Sequence, residues 1–157
     1  MIFQFVGYQN SGKTTAMEAV TRELTEKGWK VIALKHHGHG GIPDNWSKDS
    51  AKHRQAGAIA SVVEGDGILQ MEIAQEEWNV KNIEGFLSFF SYDVLLVEGY
   101  KSEDFPKAVF LRQKETNRHQ LTKLTNIQFI VPYYHNQWEK ECYINKIVQW
   151  VEQKIQE

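Results

Sequence analysis

The chain has 157 residues, of which 41% are hydrophobic and 24% charged, with a formal net charge of −2. That length suits one compact unit able to bury most of its apolar surface, and the near-neutral balance lacks the basic excess with which a whole surface binds a nucleic-acid backbone. The single cysteine, Cys142, excludes an intrachain disulfide. No run approaches the roughly 20 apolar residues of a spanning helix, and the start MIFQFVGYQN lacks a signal-peptide pattern, so a cytoplasmic setting is expected.

In chain order, IFQFV (Ile2 to Val6) reads as a short strand, and Lys13 to Lys27 carries small or apolar residues at Ala16, Ala19, Val20 and Leu24, the spacing of a helix that stops at Gly28. KVIALK (Lys30 to Lys35) is a buried-type strand. A loop rich in histidine and glycine follows, then a helix from about Lys48 to Gln55. AIASVV (Ala58 to Val63) and ILQMEI (Ile68 to Ile73), joined by EGDG, predict a β-hairpin inserted into the α/β pattern.

Ile83, Phe86, Leu87 and Phe90 share one face of a helix expected over Val80 to Phe90, which leads into the strand DVLLVEG. KAVFL (Lys107 to Leu111) and IQFIV (Ile127 to Val131) are further strands. The last helix, from about Glu139 to Gln156, aligns Ile144, Ile147, Val148, Val151 and Ile155. The alternation predicts a single α/β domain over residues 1–157, with three layers and a mostly parallel sheet.

GYQNSGKTT, Gly7 to Thr15, matches G-x-x-x-x-G-K-[ST] between a predicted strand and a predicted helix, the context in which that pattern cradles phosphate. Backbone N–H groups at a helix N-terminus and the helix dipole both favour an anion there. Gly7, Asn10, Ser11 and Gly12 form the loop. Lys13 is expected on the β- and γ-phosphates, Thr14 on Mg²⁺ and Thr15 near the α-phosphate of a nucleoside triphosphate.

Ligands of parallel α/β sheets bind beyond the carboxyl ends of the strands. In DVLLVEG, Asp93 and Glu98 lie about 16 Å apart along a strand, so only Glu98 reaches that edge, and Asp93 is read as a strand-start or cap residue. Asp49 is a second candidate for the metal, and as an acid in a first helical turn it is also explained by the dipole alone.

The four stretches GYQNSGKTT, KHHGH, PDNWSKDSAKHRQAGA and LLVEGYK, in this order over about the first 100 residues, resemble the MobB family of molybdopterin-guanine dinucleotide biosynthesis adapter proteins. The resemblance implies a P-loop fold that binds GTP and Mg²⁺, a weak GTPase activity, and a homodimer acting beside MobA, the guanylyltransferase that joins molybdopterin to GMP. It implies phosphate binding at Gly12, Lys13 and Thr14 and magnesium binding at Thr14, Asp49 and Glu98. A molybdopterin-type ligand or a protein partner is implied for Lys35, His36, His37 and His39 of the histidine loop, and for Lys101.

A guanine-reading N-K-x-D motif is missing, because Asn145 and Lys146 are followed by Ile147 and Val148. The preference for GTP therefore comes from the resemblance. The loop LKHHGHGG contains no cysteine or acid to complete a tetrahedral zinc site. Its position after a parallel strand makes it the expected second half of the binding site. With four arginines, Arg22, Arg54, Arg112 and Arg118, and no lid-like pair, slow hydrolysis is expected unless Arg54, Lys35, Lys101 or a partner supplies the charge that speeds phosphoryl transfer. A small-molecule kinase or ATP-dependent ligase is the alternative. It would consume nucleotide rapidly with its own acceptor, whereas an adapter stays slow until its protein partner binds.

Overall fold

A computed structural model describes residues 1–38, 48–74, 77–114, 118–121 and 123–157. The elements in chain order are β1 (Ile2–Gly7), α1 (Lys13–Glu26), β2 (Val31–Lys35), α2 (Lys48–Gln55), β3 (Ala60–Gly65) and β4 (Ile68–Ile73), then α3 (Val80–Leu87), β5 (Val94–Glu98), β6 (Lys107–Phe110), α4 (Arg118–Leu121), β7 (Ile127–Val131) and α5 (Gln137–Gln156). The chain forms two compact units, one of Met1–His39 with Phe90–Glu157 and the other of Gly40–Phe89.

The first unit is built on a five-stranded sheet in the order β2-β5-β1-β6-β7, with every neighbouring pair parallel. All five residues of β5 are buried, and the first four, Val94 to Val97, are the apolar run that a central parallel strand with both faces covered requires. On one face, Phe3, Phe5, Val94 and Leu96 of the strands meet Ala16, Val20 and Leu24 of α1 and Ile144, Ile147, Val148 and Val151 of α5. On the other, Val6, Val109 and Leu111 pack with Leu121 of α4. This is the expected α/β sandwich, helices on both faces of a parallel sheet.

Helix α1 ends in a Schellman motif. Trp29 N donates to Leu24 O at 3.0 Å and Gly28 N to Thr25 O at 3.0 Å, satisfying two terminal carbonyls. Just beyond it, Lys27 Nζ and Trp29 Nε1 donate to opposite oxygens of Glu152 on α5, at 2.6 and 3.0 Å. The bond from Lys27 holds the Glu152 carboxyl below its usual pKa, against a smaller opposing effect of desolvation.

Helix α5 begins two residues earlier than its apolar face suggests. Asn136 accepts from Glu139 N at 2.9 Å, while Glu139 accepts from His135 N and from Asn136 Nδ2. That reciprocal cap starts the helix ahead of its first buried residue. Helix α3 stops at Leu87, short of the expected Phe90.

In the second unit β3 and β4 form the expected antiparallel hairpin, with Val62 opposite Met71 and Gly65 opposite Ile68. Asp66 and Gly67, with φ of +50° and +76°, make the two-residue reversal, whose positive angles match the twist of the strands it joins. Arg54 of α2 forms an ion pair with Glu72 of β4. No helix among the described residues is long and apolar enough to cross a membrane.

Candidate functional site

The carboxyl ends of β1, β2 and β5 meet at one edge of the sheet, because β5 lies between the other two and all run parallel. In register, Glu98 stands beside Phe5 of β1 and Lys35 of β2. One short span of that edge therefore carries the glycine-rich loop after β1, the histidine loop after β2 and the turn after β5. Together they line a cavity of about 630 Å³ that includes Gly7, Asn10, Lys13, Glu98 and Lys101, within the size range of small-molecule sites.

Gly7 admits no side chain, since a Cβ there would lie 2.5 Å from Phe110 O and 2.7 Å from Ser11 Oγ. Gly12 caps α1 with φ +88° and without a side-chain bond, and the first turn of α1 holds no acid. The first turn thus carries no acid of its own against the positive pole of the helix, and the carboxylate that meets it comes from Glu98 of β5. Ser11 Oγ is buried and has no hydrogen-bond partner among the described residues.

Lys13 Nζ donates to Tyr8 O within the loop at 2.9 Å. Burial lowers the pKa of Lys13; Glu98 opposes this, and Lys35 adds to it. Thr14 Oγ1 lies 3.0 and 2.9 Å from the two carboxylate oxygens of Glu98, which is 8% exposed. A hydroxyl and a carboxylate of this kind, touching beside a lysine, form the oxygen-donor set that a hard cation such as Mg²⁺ takes together with phosphate oxygens. The residues present fit that ion.

Asp93 is at the far end of β5, where its Oδ2 accepts from Lys30 N at 2.7 Å and its carbonyl from the N-terminal amine at 2.9 Å. It is a structural residue remote from the loop, as its position in the strand implies. Thr15 follows Thr14 in the first turn of α1 and is not among the residues lining the cavity. Lys35, His36, His37 and Lys101 line the cavity with the glycine-rich loop. His39 falls outside the described residues. Asp49 lies on α2 of the second unit, and its side chain is likewise outside the description.

Three contributors escape a reading of motifs. Tyr8 lends its carbonyl to Lys13 and its ring to Lys101 and Arg112, whose charged groups lie 5.6 and 5.2 Å from the ring centroid. Tyr100 packs its ring on His36 with centroids 4.2 Å apart. Gln4 holds the turn that carries Tyr100. The pair Gly99-Tyr100 after a buried strand was the available clue to that turn; nothing local marks Gln4.

A parallel α/β sheet whose first strand runs through G-x-x-x-x-G-K-T into its first helix, with an acid at the end of the adjacent strand, defines the class as a phosphate-loop α/β protein. The model of one family, described as molybdopterin guanine dinucleotide synthesis protein B (MobB), matches residues 2–132, and the chain belongs to this MobB family.

It is 42% identical over 116 residues to a probable molybdopterin-guanine dinucleotide biosynthesis adapter protein of Bacillus subtilis, covering 73% of this chain and 66% of that one. It is 32% identical over 113 residues to the adapter protein of Haemophilus influenzae, covering 70% and 62%. The aligned stretch thus spans slightly less than two thirds of each of these relatives. Among solved structures, the MobB homolog of Bacillus stearothermophilus matches with a TM-score of 0.73 and 30% identity over 97% of this chain and 98% of that one. Bacillus subtilis MobB matches at 0.74 and 30% over 94% and 96%.

Proposed function

We propose that this protein is a GTP-binding adapter in molybdopterin-guanine dinucleotide biosynthesis, a weak Mg²⁺-dependent GTPase that assists the guanylyltransferase MobA in the cytoplasm. The observation that carries the reading is the contact between Thr14 and Glu98 at the mouth of the glycine-rich loop, found in a chain of the MobB family. Gly7, Asn10, Ser11 and Gly12 wrap the phosphates, with the buried hydroxyl of Ser11 available to a phosphate oxygen. Lys13 exchanges its bond to Tyr8 O for the β- and γ-phosphates, and Thr15 serves the α-phosphate.

Thr14 and Glu98 hold Mg²⁺, and the family resemblance adds Asp49 to that set. When bound, the ion neutralises charge on the β- and γ-phosphates. Lys35, His36, His37 and Lys101, with His39 by the family resemblance, serve a second anionic ligand of molybdopterin type, or the partner protein. Hydrolysis is expected to be slow because the cations lining the cavity are lysines and histidines, which lack the planar fork of an arginine finger.

Replacing Glu98 by glutamine tests the reading. The variant keeps the shape and a hydrogen bond to Thr14 but removes the charge, so GTP affinity in Mg²⁺ is expected to fall about tenfold while affinity in EDTA falls little. Titrations of labelled GTP under both conditions measure this; equal losses would reject the metal role.

The same reading includes a homodimer. The two-stranded sheet of the second unit exposes Ile68, Leu69 and Val62 at 64%, 60% and 51%. A two-stranded hairpin with apolar residues on both faces is stable only when covered, and a second copy of the chain serves as that cover. Sedimentation is expected to show a dimer at micromolar concentration, and Leu69→Lys to shift it toward monomer. A wild-type monomer would remove the dimer from the reading.

A further inference from the structure

Gln4 occupies the middle of β1 and is fully buried. An amide in a sheet interior is costly unless its hydrogen bonds are made, so the bonds it makes indicate why it is there. Its Nε2 donates to Gly99 O at 3.1 Å and to Tyr100 O at 2.9 Å. The amide orientation follows from chemistry, because the reversed side chain would set Oε1 against two carbonyl oxygens. Its Oε1 is buried without a partner among the described residues. The side chain is therefore placed for the two bonds of its nitrogen.

Those bonds hold a turn that the chain does not favour locally. Gly99 has φ +101° and Tyr100 φ +48°, and a bulky aromatic residue in the left-handed region needs its surroundings to keep it there. The backbone around it is tied on all sides: His36 N donates to Glu98 O, Gly99 N to Phe5 O and Glu103 N to Tyr100 O. His36 rests directly on the turn, since a Cβ at Gly99 would lie 2.9 Å from His36 Cβ. Its ring stacks on that of Tyr100. This ring pair and Lys101 form the cavity wall around Glu98, the residue assigned above to the β- and γ-phosphate end.

We infer that Gln4 is a positioning residue. By holding the carbonyls of Gly99 and Tyr100 it sets the His36–Tyr100 pair and Lys101 against the terminal phosphate, and so sets the preference for a nucleoside triphosphate over a diphosphate. The inference rests on the nucleotide reading proposed above.

Gln4→Leu removes the donor at similar volume. Titrations with GTP and GDP in Mg²⁺, accompanied by melting curves, are expected to show GTP affinity reduced about tenfold, the equivalent of roughly one hydrogen-bonded contact, and GDP affinity changed less than about twofold. A purely structural residue would weaken both nucleotides alike, and that result would overturn the inference. Should Gln4→Leu fail to fold, the exposed His36 decides the question. His36→Ala is expected to lower the GTP-to-GDP preference by a similar factor, non-additively with Gln4→Leu where both fold, and an unchanged preference would overturn the inference. Lys13→Ala separates the two failures. If it leaves the affinity for both nucleotides unchanged, the loop is not the phosphate site and the nucleotide reading of this cavity is wrong; if it weakens both while His36→Ala leaves the preference intact, only the role of Gln4 falls.

Discussion

Lys13→Ala is expected to reduce the affinity for GTP at least about a hundredfold while leaving the fold in place. The ammonium is the one side-chain charge carried by the glycine-rich loop between Gly7 and Thr15, and charge-assisted bonds to two phosphates are each worth about 1.5–3 kcal/mol. In this structure the same group makes a bond within its own loop, to Tyr8 O. Its loss therefore exposes a carbonyl at a cavity edge and opens no hole in the core. Burial and Lys35 both lower the pKa of Lys13 against the pull of Glu98, the setting of a cation that gains when an anion arrives. Fluorescence anisotropy with labelled GTP measures the loss, and circular dichroism with a melting curve measures the fold. Unchanged affinity would reject the loop as the phosphate site.

Phe5→Ala carries the largest expected cost in stability, about 3–5 kcal/mol, as for other buried aromatic truncations. Phe5 is fully buried. Its ring meets Phe3 edge-on at 5.4 Å and lies nearly parallel to Phe110 at 5.9 Å, with α1 and α5 packed on the same cluster. Both backbone neighbours of the central strand are held in parallel register, so the sheet cannot collapse into the gap and a cavity remains. Against the 5–15 kcal/mol that holds an ordinary domain together, such a loss leaves the variant marginal. Urea denaturation monitored by tryptophan fluorescence gives the value. A cost below about 1 kcal/mol would show that this face of the sheet is not the centre of the core.

Much of the architecture was legible because each element carries its own evidence. The spacing of Ala16, Val20 and Leu24 marks the buried side of α1, the run VLLV marks a strand covered on both faces, and EGDG marks the hairpin turn. Boundaries were read less well where capping chemistry outweighed apolar spacing: Asn136 and Glu139 start α5 at Gln137, ahead of its first buried residue. The four-residue α4 left no periodic signal to read. The loop Gly7 to Thr15 was legible for a different reason, since its glycines and lysine answer a local demand of backbone geometry and charge.

By itself, then, the sequence determined most of the elements, the glycine-rich loop between β1 and α1, and the placing of Glu98 rather than Asp93 at the sheet edge beside that loop. These depend on neighbours within a few residues, or on which end of one strand a side chain occupies. The tertiary structure decided the strand order β2-β5-β1-β6-β7, which seats Glu98 between Phe5 and Lys35, and the hydroxyl contact from Thr14. It also decided the meaning of Gln4, a polar interruption in IFQFV until a turn 95 residues away supplies the carbonyls it binds. Such pairings arise from packing between distant segments, and no local pattern of residues encodes which segments will meet.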